Sequence, residues 1–177
     1  MGLMRLKIDL NGIVLRLKIK GYIPSTHEDW DSQWCNVDFS FFSGNWLDYH
    51  CENDEVLLSC EVEILADSIS KLLNDELSEI TEISCIEPDF KFILHPKRDL
   101  RVDPKYIYVR EGCEIADIYM ELTITFWNEG LTDNYLSVTL DREDMSILLV
   151  YLNYIIGKSK ANSREVENLI QSGFLAD

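Results

Sequence analysis

Two short segments at the start of the chain alternate apolar and charged side chains. Residues 5–10 and 13–20 both follow this pattern, and Asn11 and Gly12 separate them. Alternation with a period of two is typical of a strand with one buried face, and an Asn-Gly pair favours the tight turn of a hairpin. The pattern predicts a β-hairpin over residues 1–21 with one apolar and one basic face.

Residues 22–60 predict further β-structure. After a polar connection, the segment WCNVDFSF alternates again, and the segments at 45–51 and 56–59 predict two more strands. The acidic residues 52–55 stand between these two segments and predict a turn. The aromatic residues expected in the core are Trp34, Phe39, Phe41 and Trp46.

The apolar spacing changes to three and four residues at position 62, which predicts an amphipathic helix over 61–75. Residues 79–140 return to strand patterns, with a break at Pro88 and a turn at 128–134. Residues 141–173 predict two helices. Asp141 is the expected N-cap of the first, and Asn162 begins the second.

The order of these elements predicts one α+β domain over residues 1–177. Its core is a largely antiparallel β-sheet or sandwich, accompanied by one mid-chain helix and two C-terminal helices. A hydrophobic content of 46% over 177 residues is enough for a packed core without disulfides or metals.

Charge is unevenly distributed along the chain. Lys and Arg number 16 against 32 Asp and Glu, for a net charge of −16, yet residues 1–21 carry five basic side chains and one acidic side chain. An acidic body repels nucleic acid and anionic membranes and attracts basic proteins. The expected partner is therefore a basic protein, with no nucleic acid and no membrane involved.

Cysteine usage and hydropathy favour the cytoplasm. Five Cys form no CxxC pair, the first residues form no apolar leader, and the longest apolar stretch, 145–156, is shorter than the ~20 residues of a membrane-spanning helix. An exposed edge strand of the predicted sheet could also pair two copies into a homodimer.

The most suggestive local chemistry is the pair His50-Cys51 beside acidic residues. Neighbouring side chains on a strand point to opposite faces, so this pair cannot act as a nucleophile and its base. A metal site built from His50, Glu52, Asp54 and Glu55 is an alternative, although their spacing matches neither a calcium loop nor a zinc motif. We expect no catalytic residues, no bound metal and no cofactor.

Trp30 stands out in the first polar loop because Asp29 and Asp31 flank it. An exposed Trp with an acidic rim is typical of an anchor for a basic partner. The alternative is that Trp30 folds back and plugs the loop.

The order of the motifs resembles the WapI family of bacterial immunity proteins. It runs from GYIP and DWDSQWCNVDFSF through GNWLDYHC, the helix EVEILADSISKLL and the IEPDFKF strand pair to LTDNYLSVTLDREDMSILLVYLNYI. The resemblance spans about residues 6–156 and carries no catalytic signature. It implies a protein that binds and blocks the C-terminal domain of a cognate polymorphic toxin, often a nuclease, by occlusion.

An acidic inhibitor suits a toxin whose active site is basic. The candidate contact residues are Glu28, Asp29, Trp30 and Asp31 in the first loop, Glu52, Asp54 and Glu55 in the acidic turn, and Glu129 and Asp133 in the segment 128–134. The basic hairpin is unusual for such an inhibitor, and residues 158–177 lie outside the resemblance.

Two other functions remain open. The chain could be an acidic scaffold or regulatory domain that binds proteins without a toxin partner. A metal-dependent module around His50 is the third hypothesis.

Overall fold

Three antiparallel sheets and three α-helices form the structure, a computed structural model that describes residues 4–25, 28 and 31–176. The strands are β1 Arg5–Leu10, β2 Ile13–Lys20, β3 Trp34–Ser43, β4 Leu47–Leu58, β5 Thr81–Ser84, β6 Phe90–His95, β7 Arg98–Asp99, β8 Ile115–Ala116, β9 Tyr119–Trp127, β10 Leu131–Leu140 and β11 Leu175–Ala176. The helices are α1 Ser59–Leu73, α2 Arg142–Ile155 and α3 Arg164–Gln171, with a 3₁₀ turn at Leu100–Val102. The predicted α+β class is confirmed.

The N-terminal hairpin forms as predicted. Asn11 and Gly12 both have positive φ, 56° and 91°, which is the backbone of a type I′ turn. The hairpin belongs to a five-stranded sheet with the order β11-β1-β2-β3-β4, and its apolar residues are buried. Its charged residues face away from the core.

The acidic turn predicted at 52–55 is wrong, because β4 runs through these residues as one strand. The pairing of β3 with β4 shifts register there, which marks a bulge. Asn53 has a φ of 56°, its N–H donates to the Asp38 carboxylate at 2.9 Å, and its side-chain oxygen accepts from the Lys20 ammonium group. Lys20 also pairs with Asp38 at 2.6 Å. These contacts absorb the extra residues without ending the strand.

The second sheet has the order β10-β9-β6-β5, and the break at Pro88 falls between β5 and β6 as predicted. Within the region 79–140, residues 115–127 do not form one continuous strand, because β8 pairs with β7 in a separate two-stranded sheet and β9 begins at Tyr119. The β9–β10 turn is shorter than predicted. Glu129 and Gly130 form it with φ of 57° and 150°, and Asp133 lies in β10.

Side-chain caps begin two of the helices. The carboxylate of Asp141 accepts from the N–H groups of Glu143 and Asp144, so the predicted cap of α2 is confirmed. The cap of α3 is Ser163, whose hydroxyl accepts from the Val166 N–H, and the prediction of Asn162 was one residue early. Helix α1 begins two residues before the prediction.

A single core joins both large sheets to α1 and α2. Phe39 on the first sheet contacts Phe90 on the second, with ring centroids 4.8 Å apart. Phe41 is fully buried and Trp34 partly buried, but Trp46 is 67% exposed, so its prediction as a core residue is wrong. Trp46 follows the turn residue Gly44 at the end of the β3–β4 hairpin.

Sequence reasoning missed the last strand, β11. It pairs with β1 and thereby covers one edge of the first sheet, and the Lys7 N–H donates to the Phe174 carbonyl at 2.8 Å. Leu175 is only 2% exposed. None of the helices in the described residues is long and apolar enough to cross a membrane.

Candidate partner-binding site

An acidic cleft lies where edge strand β4 approaches the β5–β6 connection and the end of β9. Its volume is about 280 Å³. The residues that line it are Cys51, Asp54, Glu55, Val56, Glu87, Asp89 and Trp127.

Aromatic packing between the two sheets positions this cleft. The rings of Tyr49 on β4 and Phe126 on β9 lie 4.7 Å apart, and Phe39 contacts Tyr49. The Tyr49 hydroxyl accepts a hydrogen bond from the Trp127 backbone N–H at 3.2 Å. The end of β9 is therefore fixed against β4, and the Trp127 side chain lies beside the β4 carboxylates.

Asp89 is the most unusual residue of the cleft, since its side chain is charged and only 4% of the residue is exposed. Burial, with the nearby charges of Asp54 and Glu87, raises the pKa of Asp89 to about 6, while a hydrogen bond with the Trp127 side chain acts in the opposite direction. At neutral pH the carboxylate is therefore mostly ionised in surroundings that disfavour its charge. A cation placed in the cleft would stabilise it.

The other carboxylates of the cleft add to this negative potential. Asp54 and Glu55 are exposed on the bulged part of β4, and Glu87 is partly buried beside Pro88. Within the described part of the chain, no Lys or Arg forms an ion pair with any of the four cleft carboxylates. Trp127 is 39% exposed and offers an aromatic surface, so the cleft suits a Lys or Arg side chain.

The structure agrees with the argument against a Cys-His pair. His50 is exposed on the outer face of β4, whereas Cys51 is half-buried and its thiol donates to the Tyr49 hydroxyl oxygen at 3.5 Å. Burial raises the pKa of the Cys51 thiol, and Asp54 adds to the effect. The thiol is therefore protonated at neutral pH and is a poor nucleophile.

The residues of the alternative metal site are divided between two surfaces. His50 and Glu52 line a groove on the outer face of the first sheet, together with Arg5 and Arg16, whereas Asp54 and Glu55 line the cleft. No group of three or more metal-binding side chains with suitable geometry occurs among the residues that the structure describes.

The remaining predicted contact residues lie outside the cleft lining. Glu28 and Asp31 are exposed, and Asp29 and Trp30 lie outside the described residues. Glu129 follows Trp127 by two positions, and Asp133 is exposed on β10. Of the predicted contact residues, only Asp54 and Glu55 therefore meet in this cleft.

Three residues of the cleft were not predicted as contact residues from the sequence: Glu87, Asp89 and Trp127. The segment IEPDF did carry a signal, because two carboxylates flank a proline at a strand junction. From the sequence, this segment predicted only a break between strands and part of the family resemblance.

A comparison with protein families identifies the chain as a member of a group of immunity proteins. The model of the family described as "Immunity protein WapI-like family" matches residues 5–158, and the chain belongs to this family. The matched region contains β1 to β10, α1 and α2, and so includes every residue of the cleft. None of the curated proteins matches the chain.

Proposed function

We propose that this protein neutralises a cognate toxin domain by binding it and covering its active site, without chemistry of its own. Membership of the WapI-like immunity protein family supports the role. The observation that carries the proposal is the acidic cleft, in which Asp89 is buried without a described cationic partner.

The chemistry of the cleft suits a basic toxin surface. A nuclease active site carries Lys and Arg to hold phosphates, and such a side chain would enter the cleft between Asp54 and Asp89 and contact the Trp127 ring. Binding would relieve the unfavourable burial of the Asp89 charge. The net charge of −16 would also accelerate association with a basic domain.

Occlusion requires more surface than the cleft itself. A stable interface buries about 800 Å² on each partner, so the cleft would hold one anchoring side chain and the surrounding surface would exclude substrate. Glu129, which is exposed two positions after Trp127, belongs to the proposed contact. Glu52 is exposed in the groove on the outer face of the first sheet and stays a predicted contact. The first loop, with Glu28, Asp29, Trp30 and Asp31, and Asp133 on β10 stay predictions as further contacts.

The proposal places the protein in the cytoplasm, where it would meet a toxin before the toxin reaches its substrate. The five cysteines are free thiols, which supports a reducing compartment.

The test is co-expression with the C-terminal toxin domain encoded beside this gene, followed by co-purification and an affinity measurement. We expect survival and a stable complex. The double variant Asp54→Asn/Glu55→Gln should bind the toxin domain at least about 10-fold more weakly and lose protection, because two exposed cleft charges disappear.

Glu76→Gln/Glu79→Gln is the matched control, since both residues are exposed and lie outside the cleft. Unchanged affinity of the cleft variant would move the interface elsewhere. If the wild-type protein folds but gives no protection and no complex, the immunity role is wrong and the scaffold hypothesis gains support.

A further inference from the structure

A long loop between β7 and β8 exposes an unusual number of apolar side chains. Residues 103–114 have no regular secondary structure, and Ile107 at their centre is completely exposed. The exposed apolar residues of the loop and its edges are Val102, Tyr106, Ile107, Tyr108 and Ile115. Loops of this length inside a folded domain, and clustered exposed apolar residues, are both typical of binding surfaces.

Backbone hydrogen bonds on both sides of the loop hold the segments that lead into and out of its tip. The Leu100 N–H donates to the Glu114 carbonyl at 2.7 Å, which extends the pairing of β7 with β8. One turn closes where the Tyr106 N–H donates to the Asp103 carbonyl at 3.1 Å. A second closes where the Cys113 N–H donates to the Arg110 carbonyl at 3.0 Å, with Gly112 at a φ of 86°.

The tip, residues 106–109, is therefore held between two hydrogen-bonded turns. A loop that is ordered before binding loses less conformational entropy when it docks. Tyr and Arg are also the residue types that most often dominate binding energy at protein interfaces.

The cations at the base of the loop form ion pairs, whereas, in the part of the chain that the structure describes, the cations beside the tip do not. Arg98 pairs with Asp103 at 3.2 Å, and Arg101 pairs with Asp99. Lys105 and Arg110, which flank the tip, form no ion pair with the described residues. The tip is thus an apolar surface between two unneutralised cations.

This composition favours a protein partner over a membrane. Residues 102–115 contain two cations and three carboxylates, whereas segments that bind anionic lipids carry clusters of four to eight Lys or Arg. A second copy is also disfavoured, because two chains of net charge −16 repel each other.

We propose that the tip, Tyr106–Val109, inserts into an apolar pocket with a carboxylate rim on the toxin domain. This inference rests on the proposed function and adds a second contact. Strand β6 begins next to Asp89 and spans about 20 Å over six residues, and β7, which leads into the loop, follows its far end. A folded domain of about 100 residues, with a radius of gyration of about 13 Å, is wide enough to reach both contacts.

The experiment measures binding of the full chain to the purified toxin domain encoded beside this gene, made catalytically inactive. Ile107→Ser and Tyr108→Ser should each weaken binding at least about 10-fold, mainly through faster dissociation, because an anchor leaves its pocket. Lys105→Glu/Arg110→Glu should weaken binding, because the two introduced carboxylates would face the carboxylate rim. All of these side chains are exposed, so folding should be unaffected.

Ile80→Ser is the matched apolar control, since Ile80 is 59% exposed on the α1–β5 connection. Lys160→Glu is the charge control, because Lys160 is exposed and lies far from the loop in the chain. Neither control should change binding.

Wild-type binding with unchanged affinity of the loop variants would overturn this inference and leave the proposed function standing. No binding by the wild-type protein would overturn both. Light scattering on the protein alone gives the remaining outcome: if Ile107→Ser converts a dimer into a monomer, the loop binds a second copy and the toxin contact is wrong.

Discussion

Asp89 and Glu61 show two ways in which this protein buries a carboxylate. Glu61 is 8% exposed and its two oxygens accept from the N–H groups of Leu58 and Ile86 at 2.8 and 2.7 Å, which ties α1 to the β5–β6 connection. Asp89 has the Trp127 side chain as a partner but faces Asp54 and Glu87. The first arrangement stabilises the fold, whereas the second leaves a buried negative charge that the proposed partner would neutralise.

The raised pKa of Asp89 predicts a pH-dependent loss of stability. In the folded state the Asp89 carboxyl group has a pKa of about 6, whereas in the unfolded chain its pKa is near the usual value of 3.8. Between these two values the folded state binds more protons than the unfolded state. Stability should therefore fall as pH rises from about 4 to 6 and then level off. Asp89→Asn should add about 1–2 kcal/mol to the free energy of unfolding at pH 7.5 and nearly nothing at pH 4.

Urea unfolding at both pH values measures this difference, with Glu79→Gln as an exposed control. The same Asp89 variant should bind the toxin domain more weakly, since the neutral amide cannot pair with a cation. Equal stability of variant and wild type at pH 7.5 would show that burial of this charge is not costly.

At the scale of the element, the bulge in β4 shapes the acidic surface. The register of β4 shifts on either side of Asp54 and Glu55, and both of these residues line the cleft. Asn53 makes this possible, because Asn adopts a positive φ more readily than most residues. The bulge also interrupts the regular hydrogen-bonding pattern of an edge strand, and this hinders pairing with strands of other chains.

Asn53→Ala should therefore lower the free energy of unfolding by about 1 kcal/mol, since alanine is strained at this φ and the hydrogen bond with Lys20 is lost. Asn53→Gly should cost less, because glycine accepts the conformation. Denaturant unfolding compares the two variants. Equal destabilisation of the two variants would mean that the lost side-chain contact with Lys20, and not backbone strain, accounts for the effect.

Elements with a strong local pattern were predictable from the sequence, and elements defined by distant contacts were not. Alternation and Asn11-Gly12 predicted the hairpin, and Asp141 predicted the start of α2. The bulge depends on Asp38, which is 15 positions away from Asn53, and an acidic run otherwise favours a turn. The cleft joins Asp54 on β4, Asp89 on the β5–β6 connection and Trp127 on β9, so no local pattern contains it.

At the scale of the whole molecule, most of the hairpin cations lie on a different surface from the acidic cleft. The outer face of the first sheet carries the cations of the hairpin, with Lys7 directly opposite Arg16 on the neighbouring strand. The acidic cleft lies at the other side of that sheet, next to the second sheet. None of the described hairpin cations forms an ion pair with a cleft carboxylate, so a basic hairpin is compatible with the proposed binding of a basic partner.

The C-terminal segment lies outside the region matched by the family, yet its strand β11 is part of the first sheet. Leu175 is 2% exposed and β11 covers the edge of β1. Leu175→Ala should lower the free energy of unfolding by about 2–4 kcal/mol, as for other buried leucines, whereas Ile170→Ala on α3 should cost less than about 1 kcal/mol because Ile170 is 42% exposed. Thermal and urea unfolding of the full chain test this pair. Equal, small effects would mean that the region matched by the family is stable without its C-terminal strand.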